Sequence, residues 1–158
     1  LALQYILGNI QNELDGQKLV QHKLDFPKPR VLAGQALRDL ATSAIDISDG
    51  LLSDLEHICD RSGVGATINL EDLPISTILY DTLGTDAAAE LALNGGDDYE
   101  LLFTVSQDNR VGMETALAHT GVTVTCIGQI NGSDKITTLR EGKTVEMSSQ
   151  GYQHFEHA

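Results

Sequence analysis

The sequence predicts an α+β fold, a mixed β-sheet with helices packed on it in two layers or more. Three observations predict it. Stretches of strand character alternate with stretches whose apolar residues recur at helical spacing, as where residues 44–47 precede Leu51, Leu52, Leu55, Ile58 and Cys59. Glycines that can end helices, Gly63 and Gly121 among them, punctuate the alternation. The chain then closes on a hairpin pattern, residues 135–139 and 144–147 about Glu141-Gly142.

The elements follow in order. Leu3, Ile6, Leu7, Ile10 and Leu14 predict an amphipathic helix that Asp15-Gly16 ends. A shorter helical piece over 19–24 leads to Phe26-Pro27-Lys28-Pro29-Arg30, an extended connector whose second proline starts a helix with Leu32, Ala36, Leu37 and Leu40 as its core face. Residues 44–47 form a strand, Ser48 and Asp49 are N-cap residues for the helix after it, and Arg61-Ser62-Gly63 closes that helix. Residues 66–70 alternate as a strand and complete a β-α-β unit. Pro74 can start a short helix to Leu79, and Thr85-Asp86 can cap another over 87–93 that Asn94-Gly95-Gly96 ends. A strand over 99–105, a helix capped by Ser106 and Asp108 and running to His119, and a strand over 122–127 form a second β-α-β unit. The tail Gly151-Tyr152-Gln153-His154-Phe155 has no periodic pattern.

At 158 residues with 41% apolar content, residues 1–158 are expected to form a single compact domain. A net charge of -13 with no Lys/Arg cluster argues against binding nucleic acid or an anionic membrane through a basic patch. A phosphate ligand would then need a cation to mediate, and Mg²⁺ fits. Cys59 and Cys126 lie far apart in apolar patterns without metal-ligand spacing, so reduced, buried thiols of a cytoplasmic protein are expected. No long apolar run or signal peptide is visible, and a start at Leu1-Ala2-Leu3 without Met reads as a processed product or a fragment.

Two stretches carry chemistry. Asp46-Ile47-Ser48-Asp49-Gly50 sets two carboxylates and a hydroxyl about one predicted helix N-terminus, a combination suited to holding Mg²⁺ beside phosphate; a capped helix with a spare acid explains the same residues. Asn94-Gly95-Gly96-Asp97-Asp98-Tyr99-Glu100 pairs glycines that allow close backbone approach with acids just ahead of a strand; an ordinary glycine-ended helix and polar loop is the competing reading. The two turns could converge on one cation site. Gly142-Lys143-Thr144 lacks the first glycine of a phosphate-binding loop, and the scattered histidines lack zinc spacing.

These stretches and the tail, in this order and spacing, resemble thiamine-monophosphate kinase, with Pro27-Lys28-Pro29-Arg30 and Cys126-Ile127-Gly128 fitting the same pattern. The resemblance covers almost the whole chain, and only the C-terminal half of that family, which is related to aminoimidazole ribonucleotide synthetase. It implies a substrate-side domain whose N-terminal, ATP-binding partner domain is absent, and a homodimer when full length. It implies phosphoryl transfer from ATP to thiamine monophosphate, with Mg²⁺ on Asp46 and Asp49, nucleotide on Ser48, and the thiamine phosphate against Asp97 and Tyr152. The family usually carries Glu where Asp97 stands, a reach longer by one methylene. The chain alone is expected to be inactive. Two alternatives are another ATP-using member of the superfamily and a non-catalytic folding or interaction module.

Overall fold

The structure is a computed structural model that describes residues 17–147. The predicted helix through Leu3 to Leu14 and the tail with Tyr152 lie outside the described residues. Helices α1 (Gln17–Asp25) and α2 (Val31–Ala36) lead into β1 (Ala41–Asp46), α3 (Leu51–Ser62) and β2 (Gly65–Asn69). Then come α4 (Thr77–Asn94), β3 (Leu101–Val105), α5 (Arg110–Leu117), β4 (Gly128–Asn131), β5 (Ile136–Arg140) and β6 (Lys143–Val145). Helices pack on a mixed sheet, as expected: the order is β4-β2-β5-β6, with β2 parallel to β5 and the other pairs antiparallel.

Neither β-α-β unit forms. β1 leaves that sheet and pairs antiparallel with β3 in a separate two-stranded ribbon, with Asp46 opposite Leu101. Residues 122–127 form no strand; pairing starts at Gly128, just after the Asn69 N–H bonds the Ile127 carbonyl at 2.9 Å. Local alternation specified extended backbone but not its partner, and partner choice is a matter of packing.

The ribbon separates two cores. On one side Leu102, with Ile45 and Ile47, packs on Leu51, Leu52, Leu55, Ile58 and Cys59 of α3 and on Ala66 and Ile68 of β2. On the other, Leu101, Phe103 and Val105 pack on Ala33 and Leu37 and on Met113 and Leu117 of α5. Period-two alternation along β3 thus feeds both. The α2 segment turns Ala33 and Leu37 inward rather than the expected Leu32, which is 67% exposed. Cys59 is buried as expected, but Cys126 is exposed, because residues 122–127 are not a core strand.

Local signals account for several ends. Gly63 closes α3 in the left-handed region at φ 65, and Glu141 (φ 49) with Gly142 (φ 73) makes the hairpin turn between β5 and β6. α4 starts at Thr77, not Pro74, where the Ser76 hydroxyl accepts from the Leu79 N–H, and it breaks at Gly84 (φ 76, ψ 172) into the two expected pieces. Asp86 pairs with Arg140 instead of capping. α5 begins only after a 3-10 turn, Gln107–Asn109, and neither Ser106 nor Asn109 caps through its side chain.

Candidate functional site

The antiparallel register builds the site. Because Asp46 ends β1 opposite Leu101 at the start of β3, the turn after β1 and the loop before β3 leave the ribbon at the same edge. Main-chain bonds then carry the pairing past both strands: Ile47 N–H to Glu100 carbonyl, Tyr99 N–H to Ile47 carbonyl and Asp97 N–H to Ser48 carbonyl, each 2.9 Å. The two acid-bearing stretches therefore converge, which spacing alone left open.

Glycine makes the approach possible. A Cβ on Gly96 would lie 2.3 Å from the Ser48 carbonyl oxygen, and one on Gly50, which has φ +117, would lie 2.8 Å from the Asn94 carbonyl oxygen. Asp97 (φ 61) and Tyr99 (φ 53) are themselves held in the left-handed region. Such non-glycine conformations cost about 1–3 kcal/mol each and persist where the surroundings impose them, here through the bonds to Ser48 and Ile47.

The helix-capping expectation is corrected. The N-cap of α3 is Gly50, which has no side chain to donate to; Ser48 and Asp49 lie ahead of it. Their backbone N–H groups bond the Oδ2 of Asp54, at 2.9 and 3.2 Å. Asp54, 1% exposed on the apolar face of α3, was missed. An acid within the periodic run Leu51, Leu55, Ile58 was the signal that could have found it, because carboxylates are rarely buried without partners.

The side chains fall around this junction. Asp46 and Asp97 are exposed, and Ser48 and Asp49 are half-buried. The Tyr99 hydroxyl donates to Asp97 Oδ1 at 2.9 Å, and this bond, the Asp97 charge, desolvation and the Asp46 charge raise the Tyr99 pKa above that of an ordinary tyrosine. The fields of Asp46 and Asp97 thus meet at one phenol. Glu100 is gripped by both arms of Arg30, with Nε donating to Oε2 at 2.7 Å and Nη2 to Oε1 at 2.5 Å. Hydrogen bonding to Glu100, with its charge, raises the Arg30 pKa against the opposing effect of desolvation. This fork fixes the Pro27-Lys28-Pro29-Arg30 connector beside the loop. Asp49, Asp54 and the exposed His57 each bring one side-chain donor atom within 4.8 Å of the others. Asp46 and Asp97 do not join that group, so among the described residues the three expected carboxylates form no single donor set, although each offers the hard oxygens that Mg²⁺ takes.

This chain belongs to the family of AIR synthase related proteins, as their C-terminal domain, whose model matches residues 3–140. Within that family it is similar to the thiamine-monophosphate kinase of Escherichia coli (strain K12), 46% identical over 156 residues that make up 94% of this chain and 48% of the relative. Among solved structures, thiamine-monophosphate kinase from Stenotrophomonas maltophilia K279a superposes with a TM-score of 0.78 at 37% identity, over 91% of this chain and 46% of that one. AaThiL, solved in complex with AMPPCP and TMP, superposes at 0.75 and 29% identity, over 98% of this chain and 47% of that one. The chain thus spans about half the length of the relatives it matches. Among the described residues no helix is long and apolar enough to cross a membrane.

Proposed function

We propose that this chain is the C-terminal, substrate-side half of a two-domain kinase that moves the γ-phosphoryl group of ATP onto thiamine monophosphate, giving thiamine diphosphate and ADP in thiamine diphosphate biosynthesis. The observation that carries the reading is the Asp97 N–H bonded to the Ser48 carbonyl, which joins the two acid-bearing turns into one corner. Its likeness to thiamine-monophosphate kinases, one of them solved with AMPPCP and TMP, supports the choice of substrates.

In this reading Asp46 and Asp49 hold Mg²⁺, Ser48 meets the nucleotide, and Asp97 faces the thiamine phosphate. Tyr152, outside the described residues, is assigned to the same substrate by the family resemblance alone. Bound Mg²⁺ supplies the positive charge that lets two anionic phosphates approach. The chain itself contributes position. The ribbon and its extended main-chain bonds fix the two turns against each other, so donor and acceptor sites keep one separation. No side chain need act as nucleophile, since direct in-line transfer asks for alignment and charge neutralisation.

The rest of the kinase, an N-terminal ATP-binding domain, supplies further metal ligands and most nucleotide contacts, and pairs the protein as a cytoplasmic homodimer. The isolated chain accordingly makes no thiamine diphosphate. The test is product formation: the full-length kinase converts thiamine monophosphate and ATP to thiamine diphosphate, and the isolated chain does not. Turnover by the chain alone, or preference of the full-length protein for an aminoimidazole ribonucleotide precursor, contradicts the reading.

A further inference from the structure

We infer that Asp54 is the positioning residue of this site, acting through the backbone of Ser48 and Asp49 to aim their side chains at phosphate and cation. The inference rests on the kinase reading for its ligand, but its geometry is independent of it. With Gly50 as N-cap, Leu51 is the first helical residue and Asp54 the fourth, and its own N–H makes the ordinary helical bond to the Gly50 carbonyl at 2.9 Å. An acid in the first turn commonly reaches back to the N-cap amide. Asp54 reaches farther, past the N-cap, to the amides of Asp49 and Ser48. It serves the turn ahead of the helix.

A carboxylate 1% exposed among Leu51, Leu55 and Ile58 is costly, and an apolar residue of similar size would fill that space without a desolvation penalty. Its two accepted N–H bonds offset the cost and fix the turn from beneath. From above, the Ile47 and Ser48 carbonyls accept from Tyr99 and Asp97. With amides drawn inward and carbonyls committed to the second loop, the turn meets a ligand through its side chains. The Ser48 and Asp49 amides are therefore not an anion-binding nest, contrary to the usual expectation for a helix N-terminus. Groups that orient metal ligands from behind typically change metal affinity by about 10–100-fold when removed.

The test uses the isotope-labelled full-length protein. In the wild type, the Ser48 and Asp49 amides are expected to be protected from exchange, and Mn²⁺, standing in for Mg²⁺, is expected to broaden resonances centred on Asp46 and Asp49. Asp54→Ala is expected to lose protection at those two amides and to weaken the Mn²⁺ effect about tenfold or more. Asp54→Asn, which keeps an oxygen acceptor at the same place, is expected to fall between. Leu55→Ala, a core cavity variant one residue away, lowers stability yet leaves the Mn²⁺ effect within about twofold of wild type if position rather than stability is what Asp54 supplies. A folded Asp54→Ala or Asp54→Asn with wild-type amide protection and Mn²⁺ response overturns the role assigned to Asp54. A wild-type full-length protein with protected amides but no localised Mn²⁺ effect overturns the cation reading instead, so the two failures are distinguishable.

Discussion

The Asp97 N–H donates to the Ser48 carbonyl oxygen at 2.9 Å, across a junction where Gly96 sits so close that a Cβ would lie 2.3 Å from the same oxygen. Two turns more than forty positions apart in sequence are welded there by backbone alone. The two turns share one edge of the ribbon because of the β1–β3 register, and the glycine lets their backbones stay in contact.

Gly96→Ala tests that contact. The added methyl meets a backbone oxygen, which cannot swing away as a side chain tip can, so the turns must separate. Loss of about 1–3 kcal/mol is expected from such crowding, read as a lower urea midpoint, together with weaker ligand binding. An unchanged midpoint contradicts the close approach.

Arg30→Lys separates loop placement from bulk stability. Lysine cannot reproduce the two-armed grip on Glu100, yet the side chains of the pair are 28% and 43% exposed, so the stability cost should stay below about 1 kcal/mol. The expected result in the full-length kinase is a several-fold higher KM for thiamine monophosphate with a smaller change in kcat. A stability loss with unaltered KM contradicts a role for the fork in placing the loop.

Tyr99 reports the acids beside it. Its hydroxyl is bonded to Asp97 and feels Asp46, so its pKa is raised. The folded protein holds this proton more tightly than the unfolded chain does. The associated stability is therefore complete below the ordinary tyrosine value of about 10 and is lost as pH climbs through the higher folded value. Near-ultraviolet titration of wild type against Tyr99→Phe assigns the phenol, and Asp97→Asn should bring its midpoint down. A midpoint unmoved by Asp97→Asn contradicts the bond.

The cysteines should differ in reactivity. Burial and the charges of Asp60 and Glu56 push the Cys59 thiol up, which holds it in its unreactive neutral form, whereas Cys126 is exposed. Alkylation followed by mass spectrometry is expected to label Cys126 quickly and Cys59 only on unfolding. Equal labelling of the two in the native chain contradicts the packing of α3.

Much of this was legible in the sequence, and for identifiable reasons. Helix spacing in Leu51, Leu55 and Ile58, the stop at Gly63, the division of residues 77–94 into two helical pieces and the Glu141-Gly142 turn are local signals, and the structure follows them, although it puts the division at Gly84, which the sequence reading did not single out. The mixed sheet with helices on it is legible as well. Pairing was not legible. Residues 44–47 and 66–70 look like consecutive strands of one sheet, but β1 finds its partner in β3, some fifty-five positions on, because Ile45 and Leu102 share the core over α3. Tyr99 read as strand and instead takes φ 53, a conformation imposed by the loop's bonds to Ile47 and Ser48 rather than by its own propensity. Asp54 is not legible for the opposite reason: it lies inside a strong apolar period, and the amides that justify its burial lie in a turn whose shape is set by contacts distant in sequence.

The most direct test of the account is Asp49→Asn in the full-length kinase, assayed for thiamine diphosphate formation across a Mg²⁺ titration. If the converged turns hold the cation, turnover falls by about 100-fold or more at ordinary Mg²⁺, since removing one preorganised source of charge stabilisation costs roughly that much, and excess Mg²⁺ restores part of it. Wild-type turnover with an unshifted Mg²⁺ dependence would contradict the assignment of this corner as the metal site.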